Sequence, residues 1–399
     1  MVFRFLAGLT KLEKITPNIV QQLLDSCNRT RDDDKLTLFH WLFESHSDAT
    51  TVKVLCSDKM DICFRCTWTP FDFHITGYCI AHSNYCNWSL NSDGGCIDDE
   101  KVELFSKGCH TTSASMDMHG RLLSVKFDAN HITSEGIQHF VNIPQHIRQG
   151  IRDLLLNSNK LDARACDLLA RAIAEMTMLE ELNLDYNPAI GNGGAVVLIR
   201  SLYTSRVKNL RLSATGIGKE DCVHLSELLK SSHHLEHLVI RDNDLSSESV
   251  EMITSGVTHS SSLTTLNMSH SQFSVLAMVN LASVLSEQCN CKLEEIVLWH
   301  CNITSEGMAV LAAALHKNST LRSLKLDHNN IGPDGVAAIA QNLPRNRTLR
   351  KLHLYNNPIG EEGVRQLVSS LEQNSSLDVI YLAQEYEYIS GSNPRIKWR

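Results

Sequence analysis

The sequence predicts an α/β solenoid, with short parallel strands along one side and helices along the other. Three observations carry that expectation. The stretch "LKLDHNNIGPDGVAAIAQNL" at Leu324–Leu343 returns 28 residues later as "LHLYNNPIGEEGVRQLVSSL", and it stands 28 residues earlier as "IVLWHCNITSEGMAVLAAAL". Within each copy the apolar period changes midway, from two residues to four. A short polar residue recurs at one position throughout, at Asn130, Asn159, Asn187, Thr215, Asn243, Ser271, Cys301, Asn329 and Asn357. The intervals between these are 29, 28, 28, 28, 28, 30, 28 and 28, a regularity that marks stacked repeats.

Each part of the repeat has a physical reason. Leu321, Leu324 and Leu326 end in a two-residue step, which suits a strand that buries alternate side chains. Ile331, Gly335, Ile339 and Leu343 follow at four-residue steps, one stripe of a helix. Between them, Gly332, Pro333 and Asp334 fit a turn into that helix. The asparagine sits where the chain leaves the strand and backbone groups lose their partners. Its amide can bond them, and Thr215, Ser271 and Cys301 are weaker substitutes. No unit can bury its apolar face alone, so each depends on its neighbours.

Nine such units are expected over residues 122–376, with a terminal strand, cap and tail over 377–399. Residues 85–121 read as a degenerate first repeat and a loop: Tyr85, Trp88 and Leu90 match the strand half, and "GGCIDDEKVELFSKG" matches the helix half. Residues 1–84 read as a helical region. There Leu36, Phe39, Leu42 and Phe43 share one helical face, and "PNIVQQLLDSC" begins with Pro17 in its first turn.

Composition narrows the function. The chain has 399 residues, 43 % hydrophobic and 21 % charged, as an ordinary folded domain does. A net charge of −8 disfavours general binding to nucleic acid or an anionic membrane. No apolar run reaches the roughly 20 residues of a membrane span. The apolar core Phe5–Leu9 is shorter than a secretory leader's and is followed at once by charges, so secretion is not expected. Thirteen cysteines, eight of them crowded between Cys27 and Cys109, form an odd set in a long chain and are read as reduced cytosolic thiols. The sequons at Asn318-Ser-Thr and Asn346-Arg-Thr carry little weight in a chain rich in Ser and Asn.

The repeat template closely resembles the ribonuclease-inhibitor-like leucine-rich repeat over about Leu122 to Leu382. That resemblance implies a horseshoe with parallel strands inside and helices outside. With "FRFLAGLT", "LFHWLFES" and "WTPFDFHITGYCI" ahead of it, in that order, the chain resembles the C-terminal half of NLR proteins, cytosolic innate immune receptors with a nucleotide-binding NACHT module. The nucleotide chemistry of that family cannot be placed on any residue, because no G-x-x-x-x-G-K-S/T motif is present. "TGIGKED" at Thr215 lacks a hydroxyl residue after Lys219 and lies within a repeat. The chain is therefore read as a fragment, or as a relative without that motor.

The candidate site is the inner strand face, where a protein or other macromolecular ligand would dock. Val297 and Trp299, Lys325 and Asp327, Lys351, His353 and Tyr355, then Tyr381, are expected to face the groove. Trp299, Asp327 and Tyr355 should form one row, and His270, His300 and His328 another. Trp and Tyr concentrate binding energy at interfaces, and an exposed Trp299 has no folding role to explain it. Asp128, Asp153, Glu181 and Asp185 would make an acidic end. No cofactor is expected. Three imidazoles in the histidine row could converge on zinc, and the spacing of Cys63 and Cys66 with His74, Cys79, His82 and Cys86 allows a tetrahedral site. Buried core thiols are the reading taken, with no metal. No catalytic motif stands out. The function expected is a non-catalytic recognition scaffold, the sensing or autoinhibitory repeat region of a cytosolic NLR-like receptor. The alternative is a RanGAP-like GTPase-activating or other regulatory scaffold.

Overall fold

The computed structural model describes residues 35–36, 39–40, 43, 59–83, 87–110, 121–286, 291–390 and 393–399. "FRFLAGLT", "PNIVQQLLDSC", Leu42, Tyr85 and Cys86 lie outside the described residues. The chain falls into two units, Met1–Asn187 and Pro188–Arg399.

In the first unit the strands β1 (Lys59–Phe64), β2 (Asn87–Ser92), β3 (Arg121–Lys126), β4 (Asp153–Leu155) and β5 (Glu181–Asn183) lie side by side in chain order, all parallel. Helices α1 (Pro70–His82), α2 (Asp99–Cys109), α3 (Ser134–Val141), α4 (Gln145–Arg148) and α5 (Ala163–Ile173) make the crossovers that parallel pairing requires. β1 and α1 occupy a stretch read from sequence as helical. Its strand alternates, with Met60, Ile62 and Phe64 buried, and Pro70 then starts the helix from the Thr69 cap. Strand β2 carries Trp88 and Leu90 fully buried, so the degenerate stretch from residue 87 folds as a regular strand and helix. α1 and α2 touch through Gly77 and Gly108: a Cβ on Gly108 would lie 2.1 Å from the His74 carbonyl oxygen.

In the second unit eight strands again follow chain order: β6 (Asn209–Arg211), β7 (His237–Val239), β8 (Thr265–Asn267), β9 (Glu295–Val297), β10 (Ser323–Lys325), β11 (Lys351–His353), β12 (Val379–Leu382) and β13 (Ile396–Trp398). The crossovers include α6 (Val196–Ser201), α7 (Lys219–Ser231), α8 (Ser247–Val257), α9 (Val275–Val284), α10 (Ser305–Leu315), α11 (Pro333–Asn342), α12 (Gly360–Gln373) and α13 (Glu387–Ser390). The central residue of each strand from Leu210 through Leu238, Leu266, Ile296, Leu324 and Leu352 to Ile380 is fully buried. Burying each is worth about 2 kcal/mol relative to exposure.

Two asparagine ladders flank that spine. In the ladder expected from sequence, Asn329 Nδ2 donates to the carbonyls of Leu298 (2.7 Å) and Leu326 (2.9 Å). Its Oδ1 accepts from the amides of Cys301 (2.9 Å) and Ile303 (3.0 Å) in the preceding repeat. Asn243 and Asn357 do the same in their repeats. The ladder lapses at Ser271, whose buried hydroxyl has no partner, and at Cys301, whose thiol reaches only the Met268 and Trp299 carbonyls.

The second ladder was not expected. Asn318, Asn346 and Asn374 are buried just ahead of β10, β11 and β12. Asn346 Nδ2 donates to the Leu315 carbonyl at 2.6 Å, tying its turn to the end of α10, and Oδ1 accepts from Thr348 and Leu349. Asn374 repeats this pattern onto Leu343, and Asn318 onto Leu285. The sequons at Asn318, Asn346 and Asn374 are thus turn caps whose amide nitrogen is already committed to the fold.

Two stability predictions follow from the ladders, each read by urea denaturation. Asn346→Asp keeps the acceptor but removes the donor and buries a charge, so it should lower stability by about 2 kcal/mol or more. Ser271→Asn supplies the missing rung and should raise stability by about 1 kcal/mol.

Candidate protein-interaction face

The residue before each ladder position adopts a left-handed backbone in nine successive repeats, from Ala129 (φ 55°) to Asn356 (φ 52°). For a non-glycine residue this costs about 1–2 kcal/mol. At His328 the following Asn329, whose Nδ2 donates to the Leu326 and Asp327 carbonyls just before the bend, braces it; after His270 and His300 the ladder position is Ser271 and Cys301 instead. In the second unit this bend carries His270 (φ 61°), His300 (φ 51°) and His328 (φ 57°) and brings their rings into register.

The expected histidine row is a stack. His270 and His300 have ring centroids 4.6 Å apart, and His300 and His328 4.2 Å, with planes within about 20° of parallel. Tyr355 meets His328 edge-on at 5.3 Å. Asn356 Nδ2 donates to His328 Nδ1 (2.8 Å), and Asp242 lies 3.5 Å from His270 Nε2 at the other end. Stacked rings present faces to each other rather than nitrogens to a common centre. Among the described residues no group of three or more His, Cys, Asp or Glu side chains is arranged to hold a metal. Water lost beneath its neighbours, then the nearby His328 and His270, push the His300 imidazole below its ordinary 6.5, against a smaller opposing pull from Asp242.

The other expected residues separate into two groups. Trp299, Lys325, Tyr355 and Tyr381 are half-buried and Lys351 is exposed. Asp327 and His353, expected to face a partner, are instead 5 % and 6 % exposed. Asp327 Oδ1 accepts from the Tyr355 amide at 2.8 Å, and Oδ2 lies 3.3 Å from His353 Nδ1. His353 in turn packs on Tyr381 at 4.2 Å, and Arg399 covers the far side of Tyr381 at 4.3 Å. Asp327 is thus covered by Tyr355 and His353, and His353 by Tyr381 of β12. Val297 is buried too. Trp299 donates its backbone N–H to Ser269 (3.1 Å), while its indole nitrogen is buried without a hydrogen-bond partner. In the first unit Asp185 is buried, and Asp128, Asp153 and Glu181 are half-buried.

The described members of the cysteine cluster have separate partners. Cys66 is bonded to Cys96, across 30 residues with Cα atoms 4.4 Å apart, which corrects the expectation of reduced thiols at these two positions. The near-repeat separation places them at neighbouring strand exits. Cys63 points at Asp93 (3.6 Å), His74 at the Leu104 carbonyl (3.2 Å), and His82 stacks on Tyr78. Cys79 is fully buried, and burial raises its thiol far above the ordinary range. Burial likewise pushes the Cys222 and Cys301 thiols up to about 12, so neither is a thiolate at neutral pH.

Five stretches, at residues 175–198, 231–253, 289–312, 317–340 and 345–368, match the family described as Leucine Rich repeat. These stretches are leucine-rich repeats. These repeats are similar to those of human NACHT, LRR and PYD domains-containing protein 12, 27 % identical over 165 residues, which span 41 % of this chain and 16 % of that protein. They are similar also to mouse ribonuclease inhibitor, 22 % identical over 244 residues, spanning 54 % of this chain and 53 % of the inhibitor. The chain thus spans about half or less of the length of these relatives. Among solved structures, an internalin from Listeria monocytogenes is 14 % identical, with a TM-score of 0.49 over 88 % of this chain and 89 % of that one. The leucine-rich repeats are of the ribonuclease-inhibitor-like type expected from the template. No described helix is long and apolar enough to cross a membrane.

The depressed His300 sets a pH dependence. The unfolded chain binds a proton at 6.5 that the folded stack resists, so stability holds above 6.5 and falls as pH drops below it. Urea midpoints measured from pH 7.5 to 5 should fall in the native chain and fall less in His300→Ala.

Proposed function

We propose that the chain is a non-catalytic protein-recognition scaffold, the sensing or autoinhibitory repeat region of an NLR-like receptor working in the cytoplasm. The observation that carries this reading is the ring row His270–His300–His328–Tyr355, which crosses four successive repeats beside half-buried Trp299. Rings aligned at a water-facing surface, on backbone bends that cost energy to hold, suit a rigid binding face: the order needed for docking is already present before a partner arrives. The partner face comprises Trp299, His300, Lys325, His328, Lys351, Tyr355 and Tyr381, with Asp327 and His353 as the buried support beneath them. Similarity to proteins named for NACHT and LRR domains, and to one named ribonuclease inhibitor, favours protein partners. The protonated buried thiols are of no use to a thiolate mechanism.

A test is to use the chain as bait, quantify retained proteins by mass spectrometry, and repeat with Trp299→Ala and Tyr355→Ala. Specific capture should drop at least about tenfold, consistent with loss of aromatic anchors, while thermal unfolding stays nearly unchanged. A large stability loss would make both residues core. Acceleration of GTP hydrolysis by a small GTPase would favour the RanGAP-like alternative.

A further inference from the structure

The strand starts of β7–β12 line an open hollow of about 470 Å³. Its charges are ordered along the sheet. Glu294 and Glu295 stand at β9, Arg322 and Lys325 at β10, Arg350 and Lys351 at β11, and Asp378 just ahead of β12. From β9 to β12 acidic groups thus flank four cations, while His237, Thr264 and Thr265 continue the lining towards β7.

Part of this charge is engaged. Arg322 Nε lies 3.4 Å from Glu294 and Lys325 Nζ 2.8 Å from Glu295. Burial alone would raise the Glu295 carboxyl, but Lys325, Ser323 and Lys351 outweigh that and hold it below its ordinary value, so it stays ionised. Arg350 Nη1 donates to the Ser376 carbonyl at 2.7 Å, which fixes the guanidinium while leaving its charge uncancelled. Lys351 is exposed at the centre of the basic stretch. Parallel strands are about 4.8 Å apart, so the acid–base–acid pattern from β9 to β12 runs about 14 Å. An extended peptide covers that distance with about four residues.

We propose that this hollow takes an extended segment of a partner protein with adjacent carboxylates at its centre and a basic residue on either side. The proposal rests on the recognition-face reading above and names the kind of segment that face accepts. Its central carboxylates meet Arg350 and Lys351, and its outer cations meet Glu294, Glu295 and Asp378. Order of charge, not net charge, decides binding.

Two labelled peptides of identical composition separate these terms: Gly-Lys-Gly-Glu-Glu-Gly-Lys-Gly and Gly-Glu-Gly-Lys-Lys-Gly-Glu-Gly. Fluorescence anisotropy with the full chain at low salt should show the first binding at least about tenfold more tightly. Lys351→Glu, at an exposed position where melting should not change, should abolish or invert that preference. Equal binding, no binding, or a preference that survives Lys351→Glu would overturn the proposal. So would concentration-dependent self-association lost in Lys351→Glu, which would make a second copy the occupant. If capture still depends on Trp299 and Tyr355 while the peptides show no order preference, the recognition face stands and only this segment is wrong. If the order preference holds while Trp299→Ala captures as the native chain does, the hollow stands and the ring row is not the anchor.

Discussion

Every repeat depends on hydrogen bonds that its own residues cannot complete. The amides of Cys301 and Ile303 are satisfied by Asn329 of the next repeat, and the Leu315 carbonyl at the end of α10 is satisfied by Asn346. A buried amide left unpaired costs about 1–3 kcal/mol, comparable to the gain from burying one strand leucine. A single repeat would therefore lose in polar groups about what it gains in apolar burial. Stacking resolves both at once, and the left-handed bend at His328 is braced by the same asparagine.

Much of this was legible because it repeats. The 28-residue period fixed the strand register, since Ser323 pairs with Lys351 and Glu295 with Ser323 at that spacing. The post-strand asparagine was legible because its residue type recurs. The pre-strand ladder was present as Asn-x-Ser/Thr-Leu at Asn318, Asn346 and Asn374, also 28 apart, but a sequon has a competing explanation and its burial cannot be read from composition. Strand β1 was missed because its pattern, KMDICF, is an isolated short alternation without the asparagine that marks later repeats.

The site was legible in part. Register alone aligned the histidines, and the rings do stack. Exposure was harder, because it depends on what the following strands cover. Asp327 and His353 occupy groove-facing positions, yet they are buried against each other, Asp327 on the Tyr355 amide and His353 under Tyr381. Cys66 and Cys96 could be paired only once the repeat count was carried back to β1, because their separation of 30 is meaningful only as nearly one period. Function follows the same division: a face built by repetition is rigid, and its specificity lies in the few positions where repeats differ.

Hydrogen–deuterium exchange on Asn329→Ala tests the dependence between repeats most directly. Protection should be lost at the Cys301 and Ile303 amides, one repeat before the substitution, while the amides of β6 and β7 exchange as in the native chain. Loss confined to the substituted repeat, with Cys301 and Ile303 still protected, would contradict the account.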